Sequence, residues 1–300
     1  MDYSHQSLDQ QLELGLRSLE LDVYFDPEGG HYSSPWGAKL GPFSTKFDED
    51  GVMKEPGFKV LHAQDVDFRS HCLLFRQCLE QIKLWSENNS DHLPLIVTIN
   101  PKDVEIKQRG FELPIKFSSE AWKDLDEEIR LVLDELILVP DDVRGSFTNL
   151  RDAVLSAWPT LSMSRGKIIF VLDAPKSYQD GYILNHPMLQ GRVIFVDVPE
   201  DSELASFRIV NDPIRNLDYI QNLVRQGFIV RTRADADTKE ARSGDYTRLE
   251  AAIESGAQII STDYYVQDLR YESAYKVSLP GNTYSRCNPV LTTMNCELPN

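Results

Sequence analysis

Residues 17–26 read RSLELDVYFD, from Arg17 to Asp26. Glu20 and Asp22 are two apart, so on an extended strand they share one face, while Leu19, Leu21 and Val23 share the other. Like charges side by side on a strand repel each other. A cation between the two carboxylates removes that repulsion, and oxygen-only ligands select a hard ion, Ca²⁺ or Mg²⁺. The alternative is a half-exposed strand with two solvated acids. Either way the stretch predicts a strand over 17–24.

Outward from this stretch the chain alternates between two periodicities. Short apolar runs at 94–100 (PLIVTIN), 167–173 (KIIFVLD), 192–198, 206–212, 228–233 and 258–262 read as strands. Helical patterns lie at 7–16, 73–85, 118–133, 149–158, near 178–190, 213–226 and 246–255. A short strand at 58–62 ends on His62. The alternation predicts an α/β fold whose parallel sheet is covered by helices. Several strands end in polar residues: Glu20 and Asp22, Asn100, Asp173, Asp197, Arg231 and Arg233, and Asp263. A (β/α)₈ barrel places its chemistry at such ends, and a doubly wound sheet also gathers polar groups there. Neither GxGxxG nor a phosphate-binding GxxxxGK[ST] occurs. Seven core strands are counted where a closed barrel has eight, so one strand is expected to be missing, at the N-terminus. The connection over 27–57, rich in Gly, Pro, Ser and aromatics, is long enough to be functional or mobile. Composition shows no break, which predicts one domain over 1–300 with a C-terminal tail from about Leu269.

The 300 residues carry 47 acids against 31 bases, a net charge of −16. Nucleic-acid binding rests on Lys and Arg neutralising phosphates, so this balance excludes it as the expected partner. It also disfavours adsorption to anionic membranes. No apolar run approaches a membrane span, so no transmembrane segment is expected. An anionic substrate then needs a local positive feature, a metal or an Arg cluster. Cys72 and Cys78 form one close pair and Cys287 and Cys296 another, without metal-finger spacing. Either these are two short-range disulfides, implying an oxidising compartment, or four reduced thiols. Asn88-Asn89-Ser90 is a glycosylation sequon that agrees with secretion. Residues 1–12 are polar and lack a signal-peptide pattern. The chain is therefore expected to be cytoplasmic, or to be an extracellular protein lacking its signal peptide and first strand.

The segments DYSHQSLDQQLELGLRSLELDVYFDPEGG, GFKVLHAQDVDFRSHC, CLEQIKLW, RTRADADTKEARSGDYTRLEAAIESGAQIISTDYY and RCNPV resemble the calcium-dependent phosphoinositide-specific phospholipase C family of the secreted, single-domain type. The resemblance covers nearly the whole chain. It implies a TIM-barrel-like phosphodiesterase fold, Ca²⁺ as cofactor, an inositol phospholipid or related phosphodiester as substrate, and a monomer. By resemblance Glu20 and Asp22 are calcium ligands and His62 is the second catalytic histidine. The family's first histidine and its neighbouring asparagine lie on the first barrel strand, upstream of Met1; His5 falls after that strand and is not read as a substitute. Where the family places an acidic ligand this chain has Asn100, whose carbonyl oxygen can still coordinate. Fewer negative ligands weaken Ca²⁺ binding, so a weaker site is expected. The resemblance and the spacing together predict Cys72–Cys78 and Cys287–Cys296 bridges.

Other residues carry two readings each. Lys102 either faces the substrate phosphate or is solvated. Arg231 and Arg233 share one strand face, where they bind phosphate or pair with Asp235 and Asp237. His31, Tyr32 and Trp36 form a lipid-facing rim or pack on their own scaffold. At the level of function the alternatives are a glycerophosphodiesterase-like enzyme with a water nucleophile, similar in its Glu-x-Asp strand and final Thr-Asp, and a catalytically impaired relative with a binding or structural role.

Overall fold

The computed structural model describes residues 3–40 and 47–292. In chain order the elements are α1 (Leu8–Glu13), β1 (Ser18–Tyr24), β2 (Lys59–Val60), α2 (Phe75–Asn88), β3 (Leu95–Pro101), α3 (Ser119–Leu133), α4 (Pro140–Arg144), α5 (Leu150–Ser156) and α6 (Leu161–Ser164). They continue with β4 (Ile168–Leu172), α7 (Lys176–Ile183), β5 (Ile194–Val196), β6 (Phe207–Ile209), α8 (Leu217–Gln226), β7 (Ile229–Arg233), α9 (Lys239–Ser243), α10 (Thr247–Ser255) and β8 (Ile259–Ser261). All seven expected core strands form; six are shorter than expected, and β3 is displaced by one residue to end on Pro101. Helices α4, α6 and α9 were not expected; they span 4–5 residues each, too short to repeat a 3.6-residue period.

Local chemistry sets several boundaries. Ser118 caps α3, its hydroxyl accepting from the Ala121 N–H at 3.2 Å, which satisfies one of the helix's unpaired N–H groups. Gly227 ends α8 in the left-handed region at φ 109°. A Cβ there would meet the Val154 carbonyl oxygen at 2.8 Å, so the turn into β7 requires glycine.

β1, β3, β4 and β5 pair in parallel in that order, as do β6, β7 and β8. A parallel bridge between Asp197 and Phe207 joins the two groups. β2 is a two-residue antiparallel addition to the end of β1. Between β8 and β1 no strand pairing occurs among the described residues; there the Gln6 N–H donates to the Tyr265 hydroxyl at 2.7 Å. The sheet nevertheless curls on itself, because Arg231 on β7 reaches both Glu20 on β1 and Asp173 after β4. This is a TIM-barrel-like α/β fold.

The main core lies between the strands and the helices. Leu19, Leu21 and Val23 of β1 join it together with Val97, Ile99, Phe170, Leu125, Ile129 and Leu223. Each such side chain contributes roughly 1.5–3 kcal/mol on burial. Charged groups inside this layer are paired: Arg192 meets Asp126 at 2.9 Å, and Asp126 also accepts from the Tyr182 hydroxyl at 2.6 Å. Lys59, with no exposed surface, pairs with Asp26 at 3.2 Å and donates to the Glu55 and Gly57 carbonyls.

Cys72 and Cys78 are bridged, with Cα atoms 5.3 Å apart, as expected. The Cys287–Cys296 pairing falls on Cys296, outside the described residues. The aromatics of the 27–57 connection pack on the scaffold. Tyr32 is buried edge-on against Tyr24, Trp36 rests on Phe111, and His31 Nε2 bonds the Leu113 carbonyl at 2.7 Å. No helix among the described residues is long and apolar enough to cross a membrane.

Candidate active site

The mouth of the barrel is built from the C-terminal ends of β1, β3, β4, β7 and β8. Strand alternation sends Glu20 and Asp22 to the face opposite Leu19, Leu21 and Val23, as the exposure pattern of β1 shows. Asp22 is in register with Asn100 on β3, so their side chains leave the same face of neighbouring strands, about 4.8 Å apart at the backbone. The expected calcium ligands therefore stand together. Asp173 ends β4 beside them, its N–H donating to the Ile99 carbonyl at 2.9 Å.

Arg231 crosses the mouth. Its Nη2 donates to Glu20 Oε2 and its Nη1 to Asp173 Oδ2, each at 2.6 Å, and only 5% of its side chain is exposed. Its partners are thus Glu20 and Asp173 rather than Asp235 and Asp237. Burial raises the Asp263 carboxyl, a rise that His5 and Arg233 oppose, while Lys239, with a smaller part from Arg233, lowers that of Asp237. Lys102 Nζ lies 3.3 Å from Asp22 Oδ1, so the lysine faces the cleft. Burial pushes the Asp22 carboxyl up to about 7, with Lys102 opposing and Glu20 adding to the rise.

His62 follows β2. The turn at 63–67, closed by backbone bonds between Ala63 and Asp67 at 2.9 and 3.0 Å, folds Asp67 back so that its carboxylate meets His62 Nδ1 at 3.0 Å. Asp65, at φ 70° inside the turn, accepts from the Trp36 N–H at 2.7 Å and the Glu112 N–H at 2.8 Å. This buried carboxylate pins the turn to the loops after β1 and β3, so the position of His62 depends on all three segments. At the end of β8 His5 Nε2 stands 3.8 Å from Asp263 Oδ1. Sequence reading had set His5 aside.

The donor set suits calcium by chemistry. Glu20, Asp22 and Asn100 offer only oxygen, as a hard cation prefers. Asp22 Oδ1 is buried, forms no well-aligned hydrogen bond and has Lys102 Nζ 3.3 Å away, so a bound cation would compete with the lysine for this oxygen. Among the described residues no three His, Cys, Asp or Glu side chains converge to hold a metal; the set expected from the sequence is two acids and an amide. Asp67, Asp173, Asp263 and His5 stand near the mouth without having been expected there. Asp173 and Asp263 had the signal of a polar strand end, and Asp67 lies in the acidic run just after His62; for His5 no local signal existed.

Beneath the mouth, Asp235 accepts from the Thr262 hydroxyl and from the Asp263 N–H at 3.0 Å. Burial pushes its carboxyl up to about 6 against these donors. The folded state therefore binds a proton more tightly than the unfolded chain does. Stability from this group is full below about pH 4 and is lost as pH rises through about 6. Asp235→Asn is expected to flatten that part of the stability curve. Urea midpoints between pH 4 and pH 7 check it; an unchanged slope in the variant would place the dependence elsewhere.

A family model described as phosphoinositide phospholipase C, Ca²⁺-dependent, matches residues 1–289. Among solved structures, a calcium-dependent phosphoinositol-specific phospholipase C from a Pseudomonas species, described as apo form, myoinositol complex, aligns with a TM-score of 0.59 at 14% identity, covering 86% of this chain and 84% of that one. A Ca²⁺-dependent phosphatidylinositol-specific phospholipase C from Streptomyces antibioticus aligns with a TM-score of 0.56 at 15% identity, covering 88% and 91%. At these identities the likeness is one of fold. No curated protein sequence matches the chain.

Proposed function

This chain belongs to the calcium-dependent phosphoinositide phospholipase C family of phosphodiesterases, and from that premise we propose that it cleaves an inositol phospholipid at the mouth lined by Glu20, Asp22, His62, Asn100, Lys102 and Arg231. The observation that carries the reading is the alternation of charge there: Arg231 between Glu20 and Asp173, and Lys102 against Asp22. In a chain of net charge −16, these cations supply the local positive feature that a phosphate requires.

Lys102 and Arg231 bind the phosphate oxygens. Glu20, Asp22 and the Asn100 carbonyl would hold Ca²⁺, which when bound supplies positive charge against the charge developing on phosphorus. His62, oriented by Asp67, donates to the same phosphoryl group. The inositol hydroxyl next to the phosphate is the nucleophile, so the first product is a cyclic inositol phosphate. The Cys72–Cys78 bridge supports an extracellular site of action, and we read residues 1–300 as one monomeric domain.

The test is incubation with phosphatidylinositol in mixed detergent micelles, with calcium or with a chelator, and phosphorus NMR of the product. Calcium-dependent release of the cyclic phosphate is expected. Release of a linear phosphate alone would point to a water nucleophile, and no cleavage at all would overturn the reading.

A further inference from the structure

We propose that Asn88, at the exposed end of α2, is the acceptor of an N-linked oligosaccharide; this rests on the extracellular site of action read above, not on the reaction. Asn88-Asn89-Ser90 is the one Asn-x-Ser/Thr sequence in the 300 residues, with no proline in its middle position. Asn88 is the last residue of α2, and Asn88, Asn89 and Ser90 are all exposed. Helix ends fray, so the acceptor lies where the backbone opens most readily.

The fold uses the neighbours of Asn88 and Ser90 and leaves those two side chains to the solvent. Asn89 closes the helix: its Nδ2 donates to the Trp85 carbonyl at 2.9 Å, and its N–H is shared between the Trp85 and Ser86 carbonyls, both at 3.1 Å. His92 is buried; it accepts from the Ser86 hydroxyl through Nε2 at 2.8 Å and donates from Nδ1 to the Leu93 carbonyl at 2.6 Å. Arg165 Nη1 donates to the Asp91 carbonyl at 2.5 Å. Gly166 lies so near the backbone of Ser90 that a Cβ there would meet the Ser90 carbonyl oxygen at 2.5 Å. The turn is thus held firmly through its other groups. Among the described residues, neither the Asn88 amide nor the Ser90 hydroxyl bonds to another protein group. Asparagine is also a poorer helix former than Ala, Lys or Glu, so folding does not account for Asn88.

Two further features fit an attached sugar. Cys78, bridged to Cys72, lies in the same helix, and a disulfide marks an oxidising compartment, where secreted chains also receive oligosaccharides. The turn after α2 leads into the N-terminal end of β3, and the mouth lies at the other end of that strand, about 20 Å away over seven residues. A bulky group on Asn88 therefore leaves the mouth open. Leu84 lies one turn before Asn88 on the same helix face and is 63% exposed. A helical side chain covers the turn on the N-terminal side of its own Cα, so the first sugar would lie over this leucine. In the transfer, Asn88 Nδ2 bonds to the anomeric carbon of a polyprenyl-diphosphate-linked oligosaccharide. The bond from that carbon to the diphosphate oxygen breaks, the amide gives up one proton, and the polyprenyl diphosphate leaves.

The test expresses the full chain behind a secretion leader in yeast and treats part of the purified protein with peptide-N-glycosidase in heavy-oxygen water. Intact-protein mass spectra should show one series of sugar-bearing forms that collapses to the bare polypeptide on treatment. The heavy oxygen should appear at position 88 of the tryptic peptide spanning 84–102. Asn88→Gln and Ser90→Ala should each abolish the series, and Ser90→Thr, which keeps the hydroxyl, should retain it. Protein held inside the cell is read in the same way, because the sugar is attached in the lumen. A bare Asn88 in the parent overturns the assignment, as does a sugar that survives Asn88→Gln. A modified Asn88 in protein that cleaves no phosphatidylinositol would uphold the acceptor while the proposed reaction falls.

Discussion

His62→Gln is expected to lower kcat/KM on phosphatidylinositol by roughly 10²–10⁴-fold, without weakening calcium binding. The separation follows from the geometry. His62 lies after β2, in contact with Asp67 at 3.0 Å, whereas Glu20, Asp22 and Asn100 lie on β1 and β3. Its loss removes a donor to the phosphoryl group and leaves the cation's ligands in place. Asp67→Asn should cost less, because it alters the orientation of a ring that remains. Combining the two changes should add little to His62→Gln alone, since Asp67 acts through His62 and coupled residues are not additive. Steady-state kinetics with calorimetric calcium titration separates the effects. If His62→Gln kept the parent rate, the histidine would lie off the reaction path.

Much of this arrangement was legible in the chain because it is written in short-range patterns. The alternation around Glu20 and Asp22 gave the face they share, and the helical pattern over 118–133 gave the start of α3 within one residue. His62 was legible as the residue on which a short strand ends. What could not be read depends on how the sheet curls. Nearness in sequence suggested Asp235 and Asp237 as partners for Arg231, yet Glu20 lies 211 residues away and Asp173 lies 58 away. His5 likewise reaches the mouth only because residues near the N-terminus lie against Tyr265, with Gln6 bonded to a residue 259 positions on. Lys59 sits in an apolar run and is fully buried, an uncommon place for lysine unless paired; its partner Asp26 comes from the other side of the 27–57 connection. No periodicity encodes such pairings.

Arg231→Met is expected to move calcium affinity and catalysis in opposite directions. In the folded chain the guanidinium neutralises Glu20, one of the two proposed acidic calcium ligands, and also holds Asp173, each at 2.6 Å. Calcium binding therefore competes with an internal cation for Glu20. Removing that cation frees the carboxylate and deletes a positive charge close to the ion. With the screening usual near a protein surface, a charge several ångströms from a divalent ion is worth a few kcal/mol, so calcium should bind about 10–100-fold more tightly. The metal-free protein should lose stability, by about 1–3 kcal/mol rather than the 3–5 of a fully buried broken pair. The discount follows from the exposure of Glu20 and Asp173, 35% and 24%, which lets water reach the freed acids. Turnover should fall, because the phosphate loses its arginine and no excess of calcium replaces it. Arg231→Lys should lie between the two, keeping the charge but not the fork that spans two carboxylates. Calorimetric calcium titration, urea unfolding of the metal-free protein and saturating kinetics measure the three terms. Calcium affinity that stayed the same or dropped in Arg231→Met would show that Glu20 does not exchange between arginine and the cation, and would remove Glu20 from the proposed ligands.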